Sequence, residues 1–220
     1  MKRILTTIIC IFLLTILVST GYAGEQLWNF ESGSADDWKV ANGNWSVTDG
    51  VYKLATGAQA EHSFVGEVTW EDYTVEAKVR IDEGNWAGLA FRAKSEMEYY
   101  VYYFNVPDNK TELWRHKTGG WTARDNIGQL EGQNVTIEVG KWYDMKVIIE
   151  GNVMALSING EMQGELSDDM YGAGQAGVWG WQTGASFDDF KVSGDEIEGS
   201  VTPVEPLDKL TTTWGRIKSR

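Results

Sequence analysis

The sequence predicts an all-β fold in which two antiparallel sheets pack as a sandwich or jelly roll. Three observations lead there. Between Gly24 and Asp195 no window keeps a helical period, whereas apolar and polar side chains alternate in segment after segment. Hairpin and turn dipeptides separate those segments at short intervals. Eleven Trp occur in 220 residues and none in the first 27, which is more aromatic surface than one core needs.

Taken in order, the chain opens with Lys2 and Arg3, an apolar run from Ile4 to Val18, and small residues at Gly21 and Ala23. That pattern reads as a secretory signal over residues 1–23, cleaved after Ala23. The apolar run, roughly 15 residues, is short for a span of about 20, so no membrane span is expected after cleavage. The single Cys, Cys10, lies inside this run, which excludes a lipoprotein anchor and leaves a mature chain without disulfides. The expected location is secreted, either extracellular or periplasmic. About 197 residues remain, enough to build a core without cross-links.

The clearest strand is Thr74 to Ile81. Val75, Ala77, Val79 and Ile81 share one face; Thr74, Glu76, Lys78 and Arg80 share the other, as in a sheet with one face buried and one wet. Further strands are expected over 44–49, 51–55, 86–93, 99–105, 111–116, 121–127, 142–150, 153–158, 176–182 and 186–192. Asp49-Gly50 and Asn159-Gly160 are hairpin signals. The β domain is expected over residues 24–194. Residues 195–220, with Pro203, Pro206 and few apolar side chains, read as linker and tail.

Net charge is −13, and removal of Lys2 and Arg3 makes it about −15. Such a body does not bind nucleic acid by charge. Calcium is a candidate cofactor, because Glu31 near the start of the domain and Asp188 near its end would meet if the first and last strands pair.

Parity along the strands supplies the ligand-binding candidates. In Gly88 to Arg92, Leu89 and Phe91 share the core face, so Arg92 is expected outward beside Ala90 and Gly88, offering its planar fork to hydroxyl pairs or a carboxylate. The competing expectation is an ion pair from Arg92 to Glu76 or Glu112. Tyr99 to Tyr103 carries rings on both faces; one face is core, and Tyr102 is taken as the ring offered to a ligand. Trp114 points outward if Leu113 points inward, Trp121 opens the following strand, and Trp181 shares a face with Trp179. Such rings stack on sugars and their polar tips bond hydroxyls; the alternative is that they seal the second sheet. Glu76 completes the set. Catalysis has less behind it: no Cys survives processing, His62 and His116 have no metal-ligand spacing, and no Gly-x-Ser-x-Gly elbow occurs.

Several blocks together carry a resemblance. They are Phe30-Glu31-Ser32-Gly33 with Trp38, Gly43 to Val47, Asp72 to Val79, Ala87 to Arg92, Ile158-Asn159-Gly160, and Ala185 to Val192. The chain resembles the concanavalin A-like (laminin G-like) jelly-roll superfamily. More narrowly it is similar to carbohydrate-binding modules found beside fructan hydrolases and to keto-disaccharide hydrolase-type domains. The resemblance implies one concave sheet that hosts the ligand, with Arg92 at the position of the arginine closing the family's Gly-Leu-x-Phe-Arg-like strand. The Glu-x-Asp-x-x-Glu strand of laminarinase-type enzymes is absent from the sequence. The expected function is therefore a secreted lectin-like module for a glycan or polysaccharide. The alternatives are a sugar hydrolase, with Glu76 and Asp188 as its acids, or a laminin G-like adhesion domain for extracellular matrix or cell-surface components.

Overall fold

The computed structural model describes residues 24–199, apart from residue 58, residue 121 and residues 132–134. The expected signal (1–23), most of the tail (200–220) and Trp121 lie outside the described residues. Fifteen strands succeed one another: β1 (Gly24–Trp28), β2 (Lys39–Asn42), β3 (Trp45–Thr48), β4 (Val51–Leu54), β5 (Glu61–Val65), β6 (Tyr73–Glu83), β7 (Trp86–Ser95), β8 (Glu98–Asn105), β9 (Lys110–His116), β10 (Arg124–Glu131), β11 (Tyr143–Glu150), β12 (Val153–Ile158), β13 (Glu161–Ser167), β14 (Gln175–Trp181) and β15 (Gly184–Gly194). No helix occurs among the described residues.

The strands form two antiparallel sheets. The eight-stranded sheet runs β13-β12-β11-β6-β15-β4-β3, with β1 also paired to β15; the seven-stranded sheet runs β10-β9-β8-β7-β14-β5-β2. β15 is the axis of the larger sheet. It pairs with β6 on one side and, end to end, with β4 and β1 on the other. The first and last strands therefore do lie side by side. Asp49-Gly50 and Asn159-Gly160 make tight hairpins between β3 and β4 and between β12 and β13; both residues of each pair have positive φ (55° and 72°; 51° and 79°), the geometry such two-residue turns require.

Alternation explains the core. On β6, Val75, Ala77, Val79 and Ile81 are buried while Thr74, Glu76, Lys78 and Arg80 face out. They meet Leu89 and Phe91 of β7, Tyr100 and Tyr102 of β8 and Val178 of β14 from the opposite sheet. The seven-stranded sheet carries a second cluster on its other face, built from Phe64, Ala90, Tyr99, Val101, Tyr103 and Trp179. That sheet is curled toward this face. β5 and β8 are three strand spacings apart, about 14 Å on a flat sheet, yet the His62 and Tyr99 rings stand 4.9 Å apart.

Two expectations of orientation are corrected. Tyr102 is fully buried between the sheets, aligned with Leu89 and Leu113, so Tyr99 and Tyr103 supply the rings of the concave face. Arg92 is 1% exposed rather than outward. Between Ala90 and Ala93, β7 spends one residue more than β14 does, and Arg92 takes a φ of 46° within that bulge. Ala93 inherits the outward position. The Arg92 guanidinium donates to the carbonyls of Glu71 (3.1 Å) and Tyr171 (3.2 Å) and to the Asp72 carboxylate (3.3 Å), instead of pairing with Glu76 or Glu112.

Candidate functional site: a cavity on the concave face

The face is assembled by parity from β9, β8, β7, β14 and β5. Trp114 is outward, as the burial of Leu113 requires, and Trp181 follows Trp179 on β14. Glu112, only 4% exposed, fixes Trp114 from the same strand. Its carboxylate accepts from the Trp114 Nε1 (2.5 Å), Tyr103 hydroxyl (2.8 Å) and Asn105 Nδ2 (2.8 Å), and it pairs with Lys110 (3.1 Å). Burial alone would raise this carboxyl; those four donors outweigh it and hold it below the usual range.

Beyond Trp114 the face deepens into a cavity of about 250 Å³ bordered by Asn42, His62, Glu96, Tyr99, His116 and Gly120. The Tyr99 ring lies between the two imidazoles, 4.6 Å from His116 in a nearly parallel stack and 4.9 Å from His62. The chain has no other histidines. His62 Nδ1 is 2.7 Å from the Ala60 carbonyl, and its Nε2 is closed to solvent. Burial lowers the His62 pKa, against the carbonyls of Ala60 and Glu96 and the Glu96 charge. Burial, then the Arg124 charge and His62, brings His116 down to about 3.

Not all the sequence candidates meet here. Trp114 and Trp181 border the same face, Arg92 and Tyr102 do not reach it, and Glu76 is on the outer face of the opposite sheet. There Glu76 lies in a groove of about 600 Å³. Lys146 (3.1 Å) and Lys191 hold its carboxylate, and Lys78 holds Asp189 (2.6 Å). Against the upward pull of burial, Lys191 and Lys146 lower Glu76. The groove is larger than the concave cavity, but its Glu25, Glu76 and Asp189 carboxylates are already matched to cations. Glu31 and Asp188 come within electrostatic reach: burial raises Asp188, and the Asp189 and Glu31 charges add to it. Among the described residues no group of three or more His, Cys, Asp or Glu could hold a metal ion. His62, Glu96 and Tyr99 had no place among the sequence candidates. His116 shares the period of Trp114 and was legible in principle; His62 sits on a strand that carries no alternation.

Fold and face together define a concanavalin A-like β-sandwich with an aromatic concave sheet. The chain belongs to the 3-keto-alpha-glucoside-1,2-lyase-like domain family, whose model matches residues 25–193. It is 30% identical over 150 residues to an extracellular exo-alpha-L-arabinofuranosidase of Streptomyces chartreusis; the match takes in 63% of this chain and 16% of that enzyme. Among solved structures it is similar to the carbohydrate-binding module CBM66 of Bacillus subtilis, with a TM-score of 0.63, 21% identity and coverage of 70% of this chain and 94% of the module. It is also similar to the catalytic domain of an endo-1,3-beta-glucanase (laminarinase) of Thermotoga petrophila, with a TM-score of 0.55, 10% identity and coverage of 80% and 100%. At these identities the structural likenesses concern the fold.

Proposed function

We propose that this chain is a secreted carbohydrate-binding domain that holds a sugar unit in the concave cavity. One observation carries the reading: Trp114 and Trp181, both partly exposed, stand on the same concave face as the cavity, where both histidines of the chain flank the buried Tyr99 ring. Flat rings suit the C–H face of a sugar and the polar edge suits its hydroxyls. At about 250 Å³ the cavity is smaller than the roughly 300–1,000 Å³ that takes drug-sized ligands, which fits one sugar unit better than a length of polymer. The extracellular arabinofuranosidase, the CBM66 module and the leader-like residues 1–23 support the same reading.

The chemistry favours binding over turnover. Glycoside hydrolysis places two carboxylates about the scissile bond, and Glu96 is the one carboxylate among the described residues lining the cavity. The family description raises a lyase reading, in which an imidazole would take a proton from carbon. A ring whose pKa lies at about 3 is a weak acceptor at neutral pH. The laminin G-like adhesion reading calls for a flat face, and this one is curled. The test is calorimetric titration of the purified protein against a panel of plant and microbial polysaccharides and their oligosaccharides, with product analysis of each mixture. Binding without new products is expected. Conversion of a bound glycan would replace the reading with an enzyme, and the absence of binding across the panel would remove it.

A further inference from the structure

Resting on that reading, we propose that Trp114 is a second subsite, a stacking platform for the sugar unit next to the one in the cavity, and that Glu112 is the positioning residue that holds its ring. The ligand is then a chain of at least two linked units.

Trp114 adjoins the cavity. It stands two residues before His116 on the same face of β9, about 7 Å from the cavity lining along the strand. Unlike Tyr99 and His116, which are buried, Trp114 is partly exposed. What it offers is decided by what its neighbours already take. An indole has one hydrogen-bond donor, Nε1–H. That donor is given to the Glu112 carboxylate at 2.5 Å, on a side chain that is itself buried. The Arg124 guanidinium lies over one ring face, 4.7 Å from the centroid. The exposed part of the side chain is therefore ring carbon with no donor left, a surface that stacks on sugar C–H groups and does not bond hydroxyls.

Glu112 is built to hold that orientation. An indole turns about χ2 between two broad, roughly opposed wells, and only one of them aims Nε1 at Glu112. The carboxylate cannot follow a turning ring, because both its oxygens are held. Oε2 accepts from Trp114 and from the Tyr103 hydroxyl (2.8 Å), and Oε1 from Asn105 Nδ2 (2.8 Å) and Lys110 Nζ (3.1 Å). Burial opposes its charge, but the Asn105, Trp114, Tyr103 and Lys110 donors prevail and keep it ionised at neutral pH. A bond to an ionised acceptor is roughly twice as strong as a neutral one, so the ring is held in place before a ligand arrives, and the sugar unit does not have to order it.

The experiment is calorimetry on the intact protein with the methyl glycosides, disaccharides and tetrasaccharides of arabinose, xylose and glucose. In a series that binds, affinity should rise about three- to tenfold from one unit to two. Trp114→Ala should bring that ratio close to one, and Glu112→Gln should lower it. In the unmodified protein the Trp114 indole proton, assigned by its loss in Trp114→Phe, should exchange slowly with water both with and without disaccharide. A ratio near one in the unmodified protein, or a ratio that survives Trp114→Ala, overturns the subsite and leaves carbohydrate binding standing. Fast exchange of the indole proton, or a ratio indifferent to a folded Glu112→Gln, overturns the positioning role; the exchange measurement decides it even where Glu112→Gln does not fold. Failure of every member of the series, and of the wider glycan panel, overturns the binding reading itself.

Discussion

The guanidinium carbon of Arg124 lies 4.8 Å from the ring centroid of Trp181, although three strands separate β10 from β14. The same carbon lies 4.7 Å from the Trp114 ring. Edge strand and sheet centre are thus tied across the concave face by one cation between two indoles. Such contacts contribute from about 0.5 kcal/mol when exposed to about 2 kcal/mol when desolvated. Arg124→Ala should lower unfolding stability by about 1–2 kcal/mol, shift tryptophan emission to the red, and speed hydrogen exchange of β10 amides before those of β8. Arg124→Lys should recover only part, because an ammonium lacks the planar surface that stacks. Unchanged exchange in β10 would show that the tie bears no tension.

Arg92 should behave as a structural clamp. Its removal leaves the Glu71 and Tyr171 carbonyls without their donor, at about 1–3 kcal/mol for each buried group left unpaired. Arg92→Ala is expected to cost about 2–4 kcal/mol in urea unfolding. Any folded fraction should still bind glycan with near-native affinity. Loss of affinity without loss of stability would return Arg92 to the ligand site.

The two histidines make the fold sensitive to acid. Their folded pKa values are depressed, that of His116 to about 3, so below about 6.5 the unfolded chain takes protons that the folded rings refuse. Stability is full above that pH and declines as pH falls from about 6.5 toward the folded values, by up to about 1.4 kcal/mol per pH unit for each ring. Urea midpoints at pH 7.5, 6 and 5 should fall in that order. His116→Phe should flatten the slope, and a flat wild-type profile over that range would contradict the buried neutral rings.

Gly88 lies where β7 passes behind Tyr103. A Cβ there would stand 2.0 Å from the Tyr102 carbonyl oxygen and 2.5 Å from the Tyr103 Cα, both backbone. Neither can retreat without parting β7 from β8. Gly88→Ala should therefore cost at least about 1–3 kcal/mol, the usual range for overpacking. Thermal unfolding of that variant beside Gly140→Ala, where nothing lies within 4 Å but φ is +83°, separates crowding from backbone strain. Equal losses would mean that crowding at Gly88 is relieved elsewhere.

What the sequence disclosed follows from which strands have one wet face. β6, β11 and β12 alternate strictly and were legible almost to the residue. All five residues of β5 are buried, so Glu61, His62 and Ser63 interrupt any apolar pattern. β13 is an edge strand with Gly164 in its middle, and β1 and β2 are short. The site was half legible for the same reason. Trp114 and Trp181 obeyed parity. Arg92 did not, because a bulge inserts one residue and parity counts residues. His62 was hidden with its strand, and its meeting with Tyr99 arises from curvature, which leaves no periodic mark on a sequence.

β15 closes the larger sheet from within. Its residues pair with β6, β4 and β1, which precede it by a hundred or more positions. Until Gly184–Gly194 is available, β6 and β4 have no neighbour on the sides that face each other, and β1 has none at all. Non-local pairing of this kind slows folding and exposes open strand edges while it is pending. A chain emerging residue by residue therefore holds an unfinished sheet until the last of its described strands, and assembly is completed in one late, cooperative step in which β15 slides between partners already waiting on both flanks.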